Sequence, residues 1–272
     1  MAIPSSDQLA LGFGLLGNII GFLVFLAPVP TFYTICKRKS SEGFQSIPYS
    51  VALMSASLLL YYAILKTNAI LIVSVNCIGC VIESIYLFIY FIYAQKKAKI
   101  FTIRLILILN VGVIGLVVAI SFFVFKGSNR VSLVGWTCAA VNVAVFAAPL
   151  SIMKRVIQTK SVEFMPFTLS FFLTLSATMW FFYGFFVKDY YIAFPNVLGF
   201  LLGVLQMILY FIYKKHPKGA PTKSNLKDTS TTQNKEIGVR VMSENNTMNP
   251  PRIEMKTTNP PENIELCLKV ED

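Results

Sequence analysis

The sequence predicts an all-α integral membrane protein whose seven transmembrane helices form two parallel three-helix bundles with one linker helix between them. Three observations carry this prediction: the composition, the length of the apolar segments and an internal repeat. Of the 272 residues, 55% are hydrophobic and 14% are charged, whereas a soluble domain typically carries about 25% charged residues. A lipid bilayer is therefore the expected solvent for most of the chain.

Seven apolar segments lie between Leu9 and Tyr213. A helix rises about 1.5 Å per residue, so about 20 residues are needed to cross the ~30 Å hydrocarbon core of a bilayer. Each of the seven segments is about that long. In chain order, the predicted helices span residues 9–33, 44–65, 69–93, 102–125, 131–153, 166–187 and 191–213.

The basic residues of the connections predict the orientation of the helices. The first, third and fifth connections hold ten Lys and Arg residues, and the second, fourth and sixth hold four. Because cytoplasmic loops of membrane proteins are enriched in basic residues, we expect the odd-numbered connections and the C-terminal tail in the cytoplasm and the N-terminus outside the cell. The larger set comprises Lys37, Arg38, Lys39, Lys96, Lys97, Lys99, Arg104, Lys154, Arg155 and Lys160, and the smaller set comprises Lys66, Lys126, Arg130 and Lys188.

Two features of secreted proteins are missing from the sequence. The residues before the first apolar segment include no Lys or Arg, unlike the basic start of a signal peptide, so the first helix is expected to remain in the mature protein. The five cysteines lie in or beside helices or in the tail and form no pattern typical of a disulfide framework.

An internal repeat with an offset of about 121 residues divides the chain. Val24-Phe-Leu-Ala-Pro28 recurs as Val145-Phe-Ala-Ala-Pro149, and Lys39-Ser-Ser-Glu42 recurs as Lys160-Ser-Val-Glu163. The fourth helix has no counterpart, and its position between two three-helix units gives both units the same orientation across the membrane. Other matched pairs are Ser55 with Ser176, Tyr62 with Tyr183 and Asn76 with Asn196.

The repeat predicts the domain organisation. Residues 1–98 form the first repeat, residues 99–127 the linker helix and residues 128–213 the second repeat. Residues 214–272 are rich in Lys, Asn, Thr, Pro and Glu, and such a composition buries too little apolar surface to offset the entropy of ordering. We therefore predict a disordered cytoplasmic tail.

Polar residues inside the predicted helices are the candidates for function, because polar groups are costly in lipid. Asn76 and Asn196 lead this set. An asparagine amide offers two N–H donors and one carbonyl acceptor, which complement vicinal sugar hydroxyls. The alternative is that each amide bonds the backbone of a neighbouring helix. The symmetric duplication of the residue favours two ligands for a neutral polyol.

Trp180 provides a second candidate contact with a sugar. It lies one helical turn beyond Ser176, so both side chains project from one face of the sixth helix. A sugar ring can stack on such an aromatic surface beside a hydroxyl, although the indole can equally pack against lipid or another helix. Four prolines near helix ends could form a gate or simply shape those ends: Pro28, Pro48, Pro149 and Pro166.

Other motifs indicate packing or solvation instead of chemistry. The single histidine, His216, lies in a basic run of the tail, so no catalytic constellation and no enzyme is predicted. Cys77 and Cys80 have no further metal ligands nearby, so neither a metal nor a cofactor is expected. The glycines of 12–17 match a dinucleotide-binding spacing but open a helix with no preceding strand, which favours close helix packing. The net charge of +11 lies in loops and the tail, and no nucleic-acid partner is expected.

Glu83 is the only acidic residue deep in a predicted helix, and its repeat counterpart is Gly203. Proton-coupled transporters rely on relays of carboxylates or histidines. A proton-coupled exporter that uses Glu83 is therefore a weaker alternative than facilitated diffusion. A seven-helix receptor shares the helix number and the outside N-terminus, but the internal duplication argues against it.

From about residue 9 to residue 213, the chain resembles the plant SWEET sugar transporters of the MtN3/saliva family. The resemblance implies bidirectional sugar uniport by alternating access in the plasma membrane, without a cofactor, by a homo-oligomer in contact with membrane lipid. The motifs that carry it are Val-Phe-Leu-Ala-Pro-Val-Pro30, Ser-Ser-Glu-Gly-Phe-Gln45, Phe-Ala-Ala-Pro-Leu150, Ser-Val-Glu-Phe-Met-Pro166 and Pro195-Asn196-Val-Leu-Gly199.

The resemblance also implies roles for individual residues. The family usually has a second-helix Trp opposite Trp180, where this sequence has Leu59. The implied extracellular gate comprises Tyr62, Tyr183 and Asp189, and the implied cytoplasmic hinge comprises Pro28, Pro48, Pro149 and Pro166. The implied substrate-binding residues are Asn76, Asn196 and Trp180, with Asn142, Leu59 and four size-tuning positions, Val24, Ser55, Val145 and Ser176. That last combination is similar to the sucrose-preferring branch, and a hexose facilitator is the alternative.

Overall fold

The computed structural model describes residues 5–162, 165 and 167–214. Within this part of the chain, every regular element is helical, and seven helices are long and apolar enough to cross a membrane. The predicted fold class is therefore confirmed. The helices are α1 (Ser6–Arg38), α2 (Ile47–Leu65), α3 (Ile70–Tyr93), α4 (Lys96–Phe123), α5 (Gly127–Thr159), α6 (Phe167–Phe186) and α7 (Tyr190–Lys214).

The helix ends differ most from prediction where charged residues lie. Helix α1 continues to Arg38 instead of ending at residue 33, α4 begins at Lys96 instead of residue 102, and α5 extends to Thr159 instead of residue 153. A reading based on apolar length stops at the first charges. Long basic side chains at helix ends can nevertheless reach the polar interface while their backbone stays helical.

Helices α1 and α5 are each interrupted at equivalent positions of the repeat. In α1 the helical segments are Ser6–Phe25 and Val29–Arg38, and in α5 they are Gly127–Val145 and Ala147–Thr159. Pro28 is the N-cap of the second α1 segment. A proline has no backbone N–H to donate, so the helical hydrogen-bond ladder is broken there.

The loop backbones repeat the same correspondence. Lys39 and Lys160, the residues that follow α1 and α5, both have φ of 50°. Asn68 and Lys188, in the connections before α3 and α7, have φ of 60° and 55°. Left-handed backbone is uncommon for residues other than glycine. Its occurrence at matched positions shows that the two units share loop geometry as well as sequence.

Helix contacts give each unit the same internal order. In the first unit α3 contacts both α1 and α2, and in the second α7 contacts both α5 and α6. The two units meet where α1 packs on α6 and α2 packs on α5. Helix α4 packs against α2 and α5 and includes a π-helical segment, Leu107–Val113. The limits proposed at residues 98, 127 and 213 remain predictions. Of the predicted tail, 214–272, only Lys214 is described, as the last residue of α7, and residues 215–272 lie outside the described residues.

The seven helices place the connections at two ends of the bundle. We call the end that holds Ser6 and the connections 66–69, 124–126 and 187–189 the N-terminal end. The other end holds the connections 39–46 and 94–95 and the described residues 160–162 and 165, and is called the tail end. Between them lies the interface of the two units, and this interface contains the candidate site.

Candidate functional site

A cavity of about 610 Å³ lies between the two three-helix units and is lined by residues of α1, α2, α3, α5, α6 and α7. Its size is within the range of about 300–1,000 Å³ that is typical of small-molecule sites. The structure brings all the predicted substrate-binding residues to its wall, and these are Asn76, Asn196, Trp180, Ser55, Ser176, Val24, Val145, Leu59 and Asn142.

The two repeat-related asparagines have the same local geometry. Asn76 donates from Nδ2 to the Ile72 carbonyl at 2.8 Å, and Asn196 donates from Nδ2 to the Ile192 carbonyl at 2.7 Å. Each bond stays within the residue's own helix, one turn back, and uses one of the two N–H groups of the amide. Each amide can therefore bond a backbone carbonyl and still line the cavity, two possibilities that were alternatives in the sequence-based prediction.

A hydrogen bond joins the two units at the level of the cavity. Ser55 donates from its hydroxyl to Asn142 Oδ1 at 3.0 Å, and Asn142 donates from Nδ2 to the Cys138 carbonyl at 2.9 Å. By the repeat, Ser55 corresponds to Ser176, whereas Asn142 corresponds to Gly21. Both repeats therefore place a serine at this position of the wall, but only the second repeat has an asparagine that can accept a hydrogen bond from the serine of the other repeat.

Trp180 is held at the cavity wall by close packing on α1. A methyl group added at Gly17 would lie 3.0 Å from the indole, so the absence of a side chain at residue 17 makes this position available to the ring. Tyr183 lies against Trp180 in an edge-on arrangement, with ring centroids 5.3 Å apart. Leu59 lines the same cavity from α2. Close packing in the first helix therefore involves Gly14 and Gly17, whereas a side chain added at Gly12 would meet nothing within 4 Å.

The three residues proposed as a gate lie at the N-terminal end. Tyr62 donates to Asp189 Oδ2 at 2.9 Å, and Lys66 forms an ion pair with the same oxygen. Asp189 Oδ1 accepts from the Ile192 backbone N–H at 3.3 Å. Asp189 is only 2% exposed and Tyr62 only 1%. Tyr183 is also buried and packs against Gly14 of α1.

This cluster joins α2 to the connection between α6 and α7 at the N-terminal end of the bundle. The family resemblance implied Tyr62, Tyr183 and Asp189 as gate residues but not Lys66, which was counted only among the basic residues of the connections. The signal that could have identified Lys66 is its position one helical turn after Tyr62, because residues four apart lie on one face of a helix.

The prolines occupy different structural positions. Pro48 lies in the first turn of α2 and lines the cavity. Pro28 lies at the interruption of α1, and Pro149 lies in the helical segment that follows the interruption of α5. Pro166 lies outside the described residues. The three described prolines are therefore near the tail end, and two of them are associated with breaks in helices that border the cavity.

Glu83 and the cysteines of the described residues lie outside the cavity wall. Glu83 is buried away from the cavity wall, and its Oε2 has no hydrogen-bond partner among the described residues. Cys80 has the Ser57 hydroxyl as its polar neighbour at 3.5 Å. No group of three or more potential metal ligands occurs in the part of the chain that the structure describes.

Two repeated helical units around one central cavity, with paired amides on its wall, define a membrane transporter for a small polar molecule. The family model described as sugar efflux transporter for intercellular exchange matches the chain twice, over residues 12–98 and 132–218. The chain belongs to this family, the SWEET or MtN3/saliva proteins, and is accordingly a multi-pass membrane protein and not an enzyme.

Individual relatives agree with the family assignment. The chain is 60% identical over 247 residues to the bidirectional sugar transporter NEC1 of Petunia hybrida, with 90% of this chain and 93% of that protein covered. It is 59% identical over 220 residues to the bidirectional sugar transporter SWEET9 of Arabidopsis thaliana, covering 80% and 85%. A solved eukaryotic SWEET transporter is 36% identical with a TM-score of 0.74, covering 78% of this chain and 99% of that one.

Proposed function

We propose that the protein is a bidirectional facilitative transporter that carries sucrose across the plasma membrane by alternating access. The observation that carries this proposal is the placement of Asn76 and Asn196, at equivalent positions of the two repeats, on the wall of one cavity. The relatives described above are named as bidirectional sugar transporters, which supports a sugar as the substrate.

The amides supply the recognition chemistry. Each asparagine uses one N–H within its own helix, so the second N–H and the carbonyl oxygen are available to a hydroxyl pair of the substrate. The wall is otherwise mainly apolar, with small side chains at Val24, Val145 and Ser176. A neutral polyol satisfies such a site, because it brings hydrogen-bonding groups without an unpaired charge.

The size of the cavity favours a disaccharide. Leu59, which lines the same cavity as Trp180, is smaller than an aromatic ring, and small side chains at residues 24, 55, 145 and 176 enlarge the cavity. Trp180 then provides one flat surface for stacking. A hexose facilitator is the second candidate, because the same amides and the same indole could also bind a single sugar ring.

The contacts at the N-terminal end support the assignment of this structure to one state of the transport cycle. With the basic connections in the cytoplasm, the N-terminal end faces the outside, and we propose that the Tyr62–Asp189–Lys66 cluster is a closed gate between the cavity and that side; its hydrogen bond and ion pair support this role. The cavity reaches Pro48 and Ala148 toward the opposite end. We assign this arrangement to the inward-facing state, with the helix breaks near Pro28 and Pro149 as hinges and homo-oligomers as the assembly in the membrane.

Uptake of radiolabelled sucrose and glucose, measured side by side in cells or vesicles with confirmed surface expression, tests the proposal. Sucrose uptake should exceed glucose uptake, persist in the presence of an uncoupler and be abolished by Asn76→Ala and by Asn196→Ala. Asn110→Ala is a matched control, because Asn110 is a membrane asparagine of α4 outside the cavity lining. Uptake of neither sugar would contradict sugar transport, and preferential glucose uptake would favour the hexose alternative.

A further inference from the structure

Asn18 of α1 forms a hydrogen-bond network with α3 that the proposed transport mechanism does not use. Its Nδ2 lies 2.9 Å from the Leu71 carbonyl and 3.1 Å from the Gly14 carbonyl. Its Oδ1 accepts from the Ser74 hydroxyl at 2.8 Å, and that hydroxyl also lies 3.0 Å from the Leu71 carbonyl. All three hydrogen-bonding groups of the amide are therefore satisfied, two of them by α3.

The network occurs in only one of the two repeats. The counterpart of Asn18 is Ala139, and the counterpart of Ser74 is Phe194. In the second unit, the corresponding helices are instead joined by Tyr191, whose hydroxyl donates to Ser132 Oγ at 3.1 Å. If the network served only the general packing of the repeat, we would expect it at the equivalent position of both units. The asymmetry points to a requirement specific to α3.

The position of the network on α3 indicates what it controls. Leu71 and Ser74 lie within the two turns that carry Asn76, and the Asn76 amide itself bonds Ile72 in the same segment. Contacts with Leu71 and Ser74 from a neighbouring helix fix both the rotation and the axial position of this segment. Because residue 76 is only two positions after Ser74, a rotation of α3 would change the direction in which its amide projects.

Helix α1 is itself held against the opposite unit next to Asn18. The indole of Trp180 lies at the van der Waals surface of Gly17, and α1 packs along α6. Asn18 therefore links α3 to a helix that also supports the proposed stacking residue. The adjacent residues Gly17 and Asn18 thus contact opposite units, Gly17 the second and Asn18 the first.

We propose that Asn18 is a positioning residue that fixes α3 so that Asn76 projects into the sugar cavity. This inference rests on the proposed function for the significance of Asn76, but the geometry it predicts can be measured without sugar. Ser74 is the partner that orients the Asn18 amide. Asn196, in the unit without this network, is independent of Asn18.

Thiol labelling tests the geometry directly. The five natural cysteines are replaced by alanine, and a single cysteine is placed as Asn76→Cys or Asn196→Cys in vesicles. The rate of reaction with a small methanethiosulfonate is then compared with and without Asn18→Ala. We expect Asn18→Ala to change the rate at residue 76 several-fold and to leave the rate at residue 196 unchanged. Equal changes at both positions, or no change at residue 76, would overturn the proposal.

Transport kinetics provide the second readout. In the natural sequence, Asn18→Ala should raise the KM for sucrose several-fold while the maximal rate per surface molecule stays close to that of the natural protein, and Ser74→Ala should have a smaller effect in the same direction. Thr102→Val is the control, because Thr102 is fully buried and bonds Ser46 between α4 and α2 at 2.8 Å. If Thr102→Val raises KM equally, Asn18 has only a general packing role.

The two experiments separate this inference from the proposed function. A natural protein that transports no sugar would remove the proposed function, whereas the labelling rates at residues 76 and 196 would still report whether Asn18 sets the projection of α3. Conversely, normal sucrose transport with unaltered labelling in Asn18→Ala would remove the positioning role and leave the transporter intact.

Discussion

Ser55 of the first repeat and Asn142 of the second repeat are joined by a hydrogen bond of 3.0 Å across the wall of the central cavity. The two residues belong to α2 and α5, which pack on each other at the interface of the two units. Alternating access requires the units to move relative to each other. A bond at this position therefore contributes to the stability of the observed state.

Replacing Ser55 by alanine should lower the thermal stability of the purified protein slightly. Interhelical hydrogen bonds in membranes contribute about 0.6 kcal/mol on average and up to about 1.7 kcal/mol. We therefore expect the free energy of unfolding to decrease by an amount in this range and the melting temperature to fall with it. Ser176→Ala is the matched control, since Ser176 lines the same cavity at the equivalent position. Equal melting temperatures for the two variants would show that the Ser55–Asn142 bond contributes no measurable stability.

Much of the fold follows from the sequence because lipid imposes a simple requirement. A segment in the hydrocarbon core must satisfy its own backbone hydrogen bonds, so apolar length alone identifies a helix. The helix ends were less predictable, since the charged ends of α1 and α4 continue the helix beyond the apolar core. The π-helical segment Leu107–Val113 has no counterpart in the apolar pattern and could not be predicted from it.

The candidate site was predictable where the repeat provided two observations of one position. Asn76 and Asn196 were identified in this way, and the structure places both on one cavity. Asn18 and Lys66, which have no like residue at the equivalent position of the repeat, were missed. Their roles depend on hydrogen bonds and ion pairs between helices distant in sequence, and the helical spacing of Lys66 from Tyr62 does not by itself identify such a partner.

Replacing Asp189 by asparagine should weaken closure at the N-terminal end. The amide keeps an oxygen that can accept from Tyr62, but Lys66 loses its charged partner. We expect an impermeant thiol reagent, added on the side of the N-terminus, to label Ser176→Cys faster in the Asp189→Asn background. Asp7→Asn is the control, because Asp7 is an exposed acid in the first turn of α1 at the same end. An unchanged labelling rate would argue against a gate at Asp189.

Replacing Gly17 by alanine should narrow the cavity. The added methyl group would lie 3.0 Å from the Trp180 indole, and the ring must shift to relieve this contact. Sucrose uptake should fall more than glucose uptake, because the larger sugar tolerates less displacement of the ring. Gly12→Ala changes the same helix but meets nothing within 4 Å, so its uptake should match that of the natural protein. A loss of similar size in Gly12→Ala would indicate an effect of alanine on α1 itself.

Replacing Leu59 by tryptophan should shift selectivity toward the smaller sugar. The new ring would face the cavity opposite Trp180 and would add a stacking surface while it reduces the volume. We expect the KM for glucose to fall and the rate of sucrose uptake to fall as well. Leu59→Ala enlarges the cavity and should lower neither the KM for glucose nor the rate of sucrose uptake. Faster sucrose uptake in Leu59→Trp would contradict the assigned position of residue 59.

Replacing Glu83 by glutamine distinguishes facilitated diffusion from proton coupling. Glu83 is buried and lies outside the cavity lining, its Oε2 has no hydrogen-bond partner among the described residues, and its repeat counterpart Gly203 cannot carry a proton. Glutamine has nearly the same shape but has no ionisable carboxyl group, so it cannot alternate between a neutral and a charged form as a proton carrier must. We therefore expect Glu83→Gln to transport sucrose at the rate of the natural protein, with or without an imposed pH gradient.

Sucrose accumulation in the presence of an uncoupler is the measurement that could contradict the expectation for Glu83. If a proton moved with each sugar, collapse of the pH gradient would abolish accumulation by the natural protein, and Glu83→Gln would lose the response to that gradient while it retained exchange of labelled for unlabelled sucrose. In a uniporter, both proteins equilibrate sucrose to the same final level and neither responds to the uncoupler. The final level of labelled sucrose therefore distinguishes the two mechanisms even if the substitution also changes the rate.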